Sequence, residues 1–257
     1  QFCLRTHEGN NLLPGQIRLW RIINQMITSE TINMRVKYIL AIIAAVAISG
    51  CTTSPTIDTS AEATFDGLYP IKGARADQAW ARNDVDLTVY SKIMLQSVGV
   101  EYRPGGESNR SFAARSSGGP YEVTEAQKEE FQAVMSEAFL EELAKSKHFT
   151  FTSEPGPDVL LVRGALLDVV SWVPPEPVGV RSNVYLSKVG EATLVLELRD
   201  SITETILARA IDRRAAEGSM GMRESNRVNN RTEIRRLARI WGSMLRDRLD
   251  ELAAPAE

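Results

Sequence analysis

Val159-Leu160-Leu161-Val162-Arg163-Gly164-Ala165-Leu166-Leu167-Asp168-Val169-Val170-Ser171-Trp172-Val173 is interrupted by only three charged or hydroxyl-bearing side chains, Arg163, Asp168 and Ser171. Val and Leu dominate, and prolines bound the stretch on both sides, at Pro155 and Pro157 before it and at Pro174, Pro175 and Pro177 after it. Such a composition, without helical periodicity, reads as a β-strand. A strand apolar on both faces belongs in the middle of a sheet with both sides covered.

The neighbouring segments fit around it. Residues 191–199 alternate, with Ala192, Leu194, Leu196 and Leu198 inward and Glu191, Thr193, Glu197 and Arg199 outward. Val195 is the apolar exception on the outward side. Asp200-Ser201-Ile202-Thr203-Glu204 turns the chain, and residues 205–212 return as the hairpin partner. Upstream, residues 87–102 are rich in β-branched and aromatic side chains and read as a strand. Residues 103–120 form a Gly- and Ser-dense loop. Thr124 and Gln127 have the spacing of a capping box, opening a helix to about Lys147 with Phe131, Val134, Met135, Ala138, Phe139 and Leu143 on one face. Lys145 and Lys147 fall where they would complement its dipole. Residues 148–152 make a short strand. Residues 67–85 read as an irregular lead-in and 214–230 as a polar loop. A closing helix from near Thr232 buries Ile234, Leu237, Ile240, Trp241, Met244, Leu245, Leu249 and Leu252. The order β-α-β-β-β-β-α predicts an α+β fold: two layers, an antiparallel or mixed sheet of about five strands, and two main helices on one face.

The beginning of the chain has another character. Met34-Arg35-Val36-Lys37 is a short positive segment, Tyr38 to Ile48 is apolar, and Ser49-Gly50-Cys51 closes it with small residues. These are the parts of a secretory signal, and the apolar run is shorter than the roughly 20 residues a spanning helix needs. The stretch resembles bacterial lipoprotein signals. That resemblance implies cleavage before Cys51, lipid (palmitate among it) on Cys51, and, since Thr52 is not an aspartate, a place on the periplasmic face of the outer membrane of a Gram-negative cell. The expected organisation is an upstream segment over 1–33 outside the mature protein, a signal peptide over 34–50, a flexible tether over 51–63, and one periplasmic α+β domain over 64–257. A tether of a dozen residues reaches on the order of 20 Å.

Five of the 30 Lys and Arg and two of the 33 Asp and Glu precede Cys51, leaving 25 against 31 and a mature net charge of −6. An acidic chain argues against a nucleic-acid partner, which needs concentrated basic surface. Of the two cysteines, Cys3 lies upstream of the cut, so the mature domain has no disulfide to form.

Tyr90-Ser91-Lys92-Ile93-Met94-Leu95, the Pro155-Gly156-Pro157-Asp158 turn into Val159-Leu160-Leu161-Val162, Glu197-Leu198-Arg199-Asp200-Ser201 before a hairpin, and Trp241 in the last helix occur in that order. Together they resemble the domain of unknown function 3313 family of bacterial lipoproteins, from about Gly67 to the C-terminus. The resemblance implies a location and a fold. It carries no activity and no catalytic residues. Glu204 departs from it, standing where the family implies a glycine in the hairpin turn.

Catalytic chemistry has little to draw on. His148 is the single histidine after Cys51, no Gly-x-Ser-x-Gly elbow accompanies it, and it reads as a cation beyond a helix C-terminus. His- and Cys-based metal sites are excluded in their usual forms, and no cofactor is expected apart from the lipid. Glu129, Glu130, Asp168 and Asp200 could furnish a carboxylate pair for an envelope hydrolase acting on peptidoglycan, which requires about 5–9 Å between the acids. Asp168, set in an apolar strand, needs either a pairing arginine or an edge position. The most regular charge feature is Arg223, Arg227, Arg231, Arg235 and Arg239, every fourth residue, with Arg236 beside them. On a helix this is a basic stripe suited to anions, whether lipid phosphates or an acidic partner, although Asn229-Asn230 should break its first half. The site expectation is therefore lipid on Cys51, and anion or partner binding at Arg227, Arg231, Arg235 and Arg239. The Trp172-Val173-Pro174-Pro175 segment is either a recognition loop or a strand stop. The overall expectation is a non-enzymatic, membrane-anchored protein that binds or scaffolds an envelope protein or peptidoglycan.

Overall fold

The structure, a computed structural model, describes residues 54–104, 120–174, 183–218 and 221–254. The signal-like segment, the upstream segment and Cys51 lie outside the described residues.

Among the described residues, ten strands and two helices follow one another as β1 (Thr56–Ile57), β2 (Tyr69–Lys72), β3 (Gln78–Ala81), β4 (Lys92–Tyr102), α1 (Glu125–Leu143), β5 (Thr150–Phe151), β6 (Val159–Ser171), β7 (Tyr185–Leu186), β8 (Lys188–Asp200), β9 (Ile206–Glu217), β10 (Arg223–Glu224) and α2 (Arg227–Ala253). The fold is α+β. Eight strands form one mixed sheet in the order β1-β2-β3-β9-β8-β6-β4-β5, and β7 pairs with β10 separately. β6 runs parallel to β4, with α1 in the crossover, and antiparallel to β8.

The expected main elements, β4 to α1, β5, β6, β8, β9 and α2, are present in that order. The expected count of about five strands is too low. The additional strands of the large sheet are β1, β2 and β3, two to four residues long. Strands that short carry no detectable alternation and are defined by backbone pairing alone, as in Trp80 opposite Arg209. The same pairing alters the reading of residues 51–63 as a tether. From Thr56 the chain is bound to the sheet edge, with Asp58 N–H donating to the Pro70 carbonyl at 2.9 Å and Lys72 held to Asp58 at 2.7 Å.

Two boundaries also differ. β9 extends to Glu217 rather than ending near Asp212. α2 begins at Arg227, not Thr232, because Asn226 caps it by accepting from the Asn229 N–H at 2.9 Å. Asn229 and Asn230 sit in the first turn, where their side-chain amides reach Glu224 O and Ser225 Oγ, so they begin the helix instead of breaking it. The capping box at Thr124 and Gln127 forms as the spacing predicts. α1 stops at Leu143, and Lys145 pairs with the Glu142 carboxylate at 2.6 Å instead of occupying the last turn.

The helices pack together against one sheet face. Met135 and Ala138 of α1 and Leu237, Ala238 and Trp241 of α2 meet Leu166, Ala192 and Leu194. A second cluster joins Leu143 and Leu249 to Ile93, Phe149, Leu160 and Val162. Among the described residues Trp241 is the largest fully buried side chain, and its Nε1–H donates at 2.7 Å to Asp212, which is itself buried and held by Arg214 at 2.6 Å. The expectation that β6 is covered on both sides holds for residues 159–162, all buried. On the face turned away from the helices, Arg163 and Ala165 are half-buried and Leu167 is exposed, and beyond the bulge Val170 is buried again.

Candidate functional site

Arginine spacing brings Arg227, Arg231, Arg235 and Arg239 onto one side of α2, as expected, but that side faces α1. Glu130 takes Arg227 at 3.1 Å, Glu137 takes Arg235 at 2.6 Å and Arg231 at 3.6 Å, and Glu141 takes Arg239 at 3.1 Å. Arg246 continues the series onto the buried Glu142 at 2.9 Å. The stripe is thus one half of an interhelical ladder. Three glutamates of α1, seven and four residues apart, serve the four arginines, Glu137 taking two of them, and any anion placed on the stripe would meet those carboxylates. Arg223 turns elsewhere, to the buried Glu233 at 2.6 Å.

The opposite face of the sheet holds a second charged assembly, and it centres on Asp168. β6 bulges here: its register against β8 shifts between Leu167 and Val170, and Asp168 adopts a left-handed φ of 53°. A non-glycine residue in that conformation is strained by about 1–2 kcal/mol. The bulge presses the Val170 carbonyl toward Gly190, where a Cβ would lie 2.5 Å from that oxygen, so only glycine fits opposite. Re-aimed by the bulge, Asp168 meets Arg103 through both carboxylate oxygens at 2.6 and 2.5 Å and Arg213 at 2.9 Å. Arg213 also binds Glu191 at 3.0 Å, and Glu191 is closed on its other side by Lys188. The Lys188 ammonium lies 4.8 Å from the centre of the Trp172 ring.

Electrostatics follow the geometry. Hydrogen bonds from Arg103 hold Asp168 below its ordinary carboxylate range against a smaller opposing effect of burial, and Arg213 adds to the lowering. Lys188 and then Arg213 do the same for Glu191. Asp168 is therefore an ionised acceptor with both oxygens engaged. It has the pairing arginines that its apolar setting requires, and it is a poor proton donor at neutral pH.

Of the other carboxylates weighed for hydrolysis, Glu129 is exposed on α1, while Glu130 and Asp200 are engaged. Glu130 belongs to the helix ladder. Asp200 organises the hairpin turn, accepting from Tyr90 Oη at 3.0 Å and from the Ile202 and Thr203 N–H groups; burial and this carboxylate push the Tyr90 phenol up to about 12. Asp200 pairs with Leu160, eight residues before Asp168 on β6, which separates these two acids by roughly 25 Å at about 3.3 Å per residue. That distance is far outside the two-carboxylate range. His148 is exposed beyond α1, its backbone N–H bound to Ser146 Oγ. A shallow surface depression lies beside Leu186, Val189, Asn229 and Glu233. Among the described residues there is no group of three or more His, Cys, Asp or Glu arranged for a metal ion, and no helix is long and apolar enough to cross a membrane. The Asp168 assembly joins residues from loop, strand and hairpin. In the sequence, its signs are Asp168, a carboxylate in an apolar strand that needs a pairing arginine, and Glu191 on an outward position of its strand.

A family model described as "Protein of unknown function (DUF3313)" matches residues 59–245. No curated protein matches the chain. Similar solved structures include the PelC dodecamer from Paraburkholderia phytofirmans (11% identity, 65% of this chain and 98% of that chain, TM-score 0.31). Protein XCC0632 from Xanthomonas campestris, assigned to DUF330, gives 7%, 67%, 88% and 0.32 in the same order. A putative neuraminyllactose-binding hemagglutinin homologue from Helicobacter pylori gives 15%, 72%, 89% and 0.28.

Proposed function

The chain belongs to this family of unknown function, DUF3313, and from that premise we propose that it is a non-enzymatic, lipid-anchored envelope protein that binds or scaffolds another envelope component at the periplasmic face of the outer membrane. The observation that carries the proposal is the signal-like run from Met34 to Cys51, ending directly before the compact unit that starts at Ser54. Lipid on Cys51 supplies an anchor, since each buried CH₂ contributes about 0.8 kcal/mol and two or more chains make membrane binding stable.

Attachment of Thr56 to the sheet edge sharpens this reading. Four residues separate Cys51 from Thr56, and the five Cα-to-Cα steps between them span at most about 18 Å. The anchor holds the β1 edge close to the lipid headgroups, nearer than a free tether over 51–63 would. A domain held so close acts on what lies at the membrane surface.

Cys51→Ala with membrane fractionation tests the anchor. The expected result is release of the variant into the soluble fraction, and unchanged membrane association refutes it. Peptidoglycan turnover by the purified protein, abolished by Asp168→Asn, would refute the non-enzymatic reading.

A further inference from the structure

Every arginine in the described residues has an ion-pair or hydrogen-bond partner except Arg163. Its Nε is buried and makes no hydrogen bond. Arg163 sits on β6, the strand between β4 and β8, on the face turned away from the helices. Its direct cross-strand neighbours are Gln96 on β4 and Glu197 on β8.

Glu197 is the carboxylate that ought to compensate it, and Glu197 is already taken. Arg199 binds it at 2.9 and 2.7 Å, and Arg209 at 3.1 Å while also holding Asp66 at 2.6 Å. Gln96 is neutral. The other cations of this face, Arg103, Arg213, Lys188, Arg199 and Arg209, each reach at least one of four shared carboxylates, so among the described residues Arg163 is the cation of this face with no ion pair. An arginine in a half-buried setting presents a planar fork that matches a carboxylate with two parallel hydrogen bonds. Beside it along the strands runs an apolar row, Ala165, Val195 and Ile211 paired across β6, β8 and β9, with Leu167 exposed at its end. A free phosphate or a headgroup would leave that row unused, whereas apolar side chains next to an acidic one would cover it.

We infer that this sheet face docks an acidic, partly apolar protein segment, one of whose carboxylates is received by Arg163 while neighbouring side chains cover Ala165, Val195, Ile211 and Leu167. The inference rests on the binding role proposed above and gives that role a surface and a ligand chemistry. It does not depend on the anchor.

Fluorescein-labelled peptides of alternating Glu and Val, and of alternating Gln and Val, are titrated by anisotropy against the full chain in detergent. The Glu peptide should bind at least tenfold more tightly. Arg163→Gln should erase that preference, and Arg227→Gln, on the helix side, should keep it. Leu167→Glu, a like-charge block at an exposed position, should weaken the Glu peptide at least tenfold without altering thermal unfolding; it decides the matter if Arg163→Gln fails to fold. Equal binding of the two peptides, no binding, or a preference that survives Arg163→Gln overturns the proposal. So does Arg163-dependent binding of phosphatidylglycerol vesicles without peptide binding, which would make the ligand a lipid. Failure of the Cys51→Ala test would remove the anchor and leave these titrations interpretable.

Discussion

Replacing Gly242 by Ala isolates the contact that sets the distance between the two helices. Gly242 is buried in α2, and a Cβ built there lies 2.8 Å from Glu142 Cβ, 3.0 Å from the Phe139 carbonyl oxygen and 3.5 Å from Phe139 Cα. Two effects oppose each other. Alanine is the better helix former by about 1 kcal/mol, which would stabilise an open position. Against it, carbon atoms prefer about 3.5–4.0 Å, so the new methyl is too close to Glu142 Cβ by roughly 0.7 Å. The obstructing atoms are a backbone oxygen and a Cβ, neither of which can rotate away, so α1 must move. Overpacking of this kind costs about 1–3 kcal/mol, and moving α1 also strains the buried Glu142–Arg246 pair at 2.9 Å. Steric cost should outweigh propensity, leaving Gly242→Ala destabilised by about 1 kcal/mol. Urea unfolding followed by tryptophan fluorescence reads it directly, since Trp241 lies in the same interface, and the slope should be unchanged. A stability gain of about 1 kcal/mol would refute the close approach and show the position to behave as an open helix site.

Glu204 has φ 54° in the β8–β9 turn, where a left-handed residue is strained, so Glu204→Gly should raise stability by about 1 kcal/mol in the same unfolding assay. Asp212 accepts from Trp241 and Arg214 while buried; Asp212→Ala leaves the buried Trp241 Nε1–H without its acceptor, while the part-exposed Arg214 can turn to solvent, and should cost about 1–3 kcal/mol, visible as a fall in the thermal midpoint. Asp168, Glu191 and Glu142 all titrate below their ordinary values, first because of Arg103, Lys188 and Lys145 respectively. Lowered folded-state values contribute stability above the unfolded pKa, near 4, that is lost as pH falls through the folded values, so the midpoint should be flat from pH 5 to 7 and drop below about pH 4. Arg227→Gln, on an exposed pair of the helix ladder, should change stability by less than about 1 kcal/mol.

How much was legible depended on how local each signal was. The β6 run, the alternation of residues 191–199 and the Thr124 capping box each encode their element within a few residues, and each element formed. Periodicity also located the arginines on one side of α2. What it could not supply was the identity of the surface opposite, because the glutamates that meet them lie about a hundred residues away on α1. Glu204 was marked only as a departure from a familiar turn. The left-handed backbone there explains why a glycine would suit it.

By itself the sequence determined the α+β class, the order of the main elements, the buried role of Trp241 and the lipoprotein-like segment that directs the functional proposal. These depend on composition and spacing over short distances. Tertiary structure alone decided that residues 56–57 belong to the sheet, that the arginine stripe is spent on a neighbouring helix, and that Asp168 is enclosed by Arg103 and Arg213. It also decided that Arg163 is left without a partner, its cross-strand carboxylate drawn to Arg199 and Arg209. The physical reason is common to all of them. A charge is defined by what faces it, and what faces it is fixed by register and packing between segments far apart in the chain.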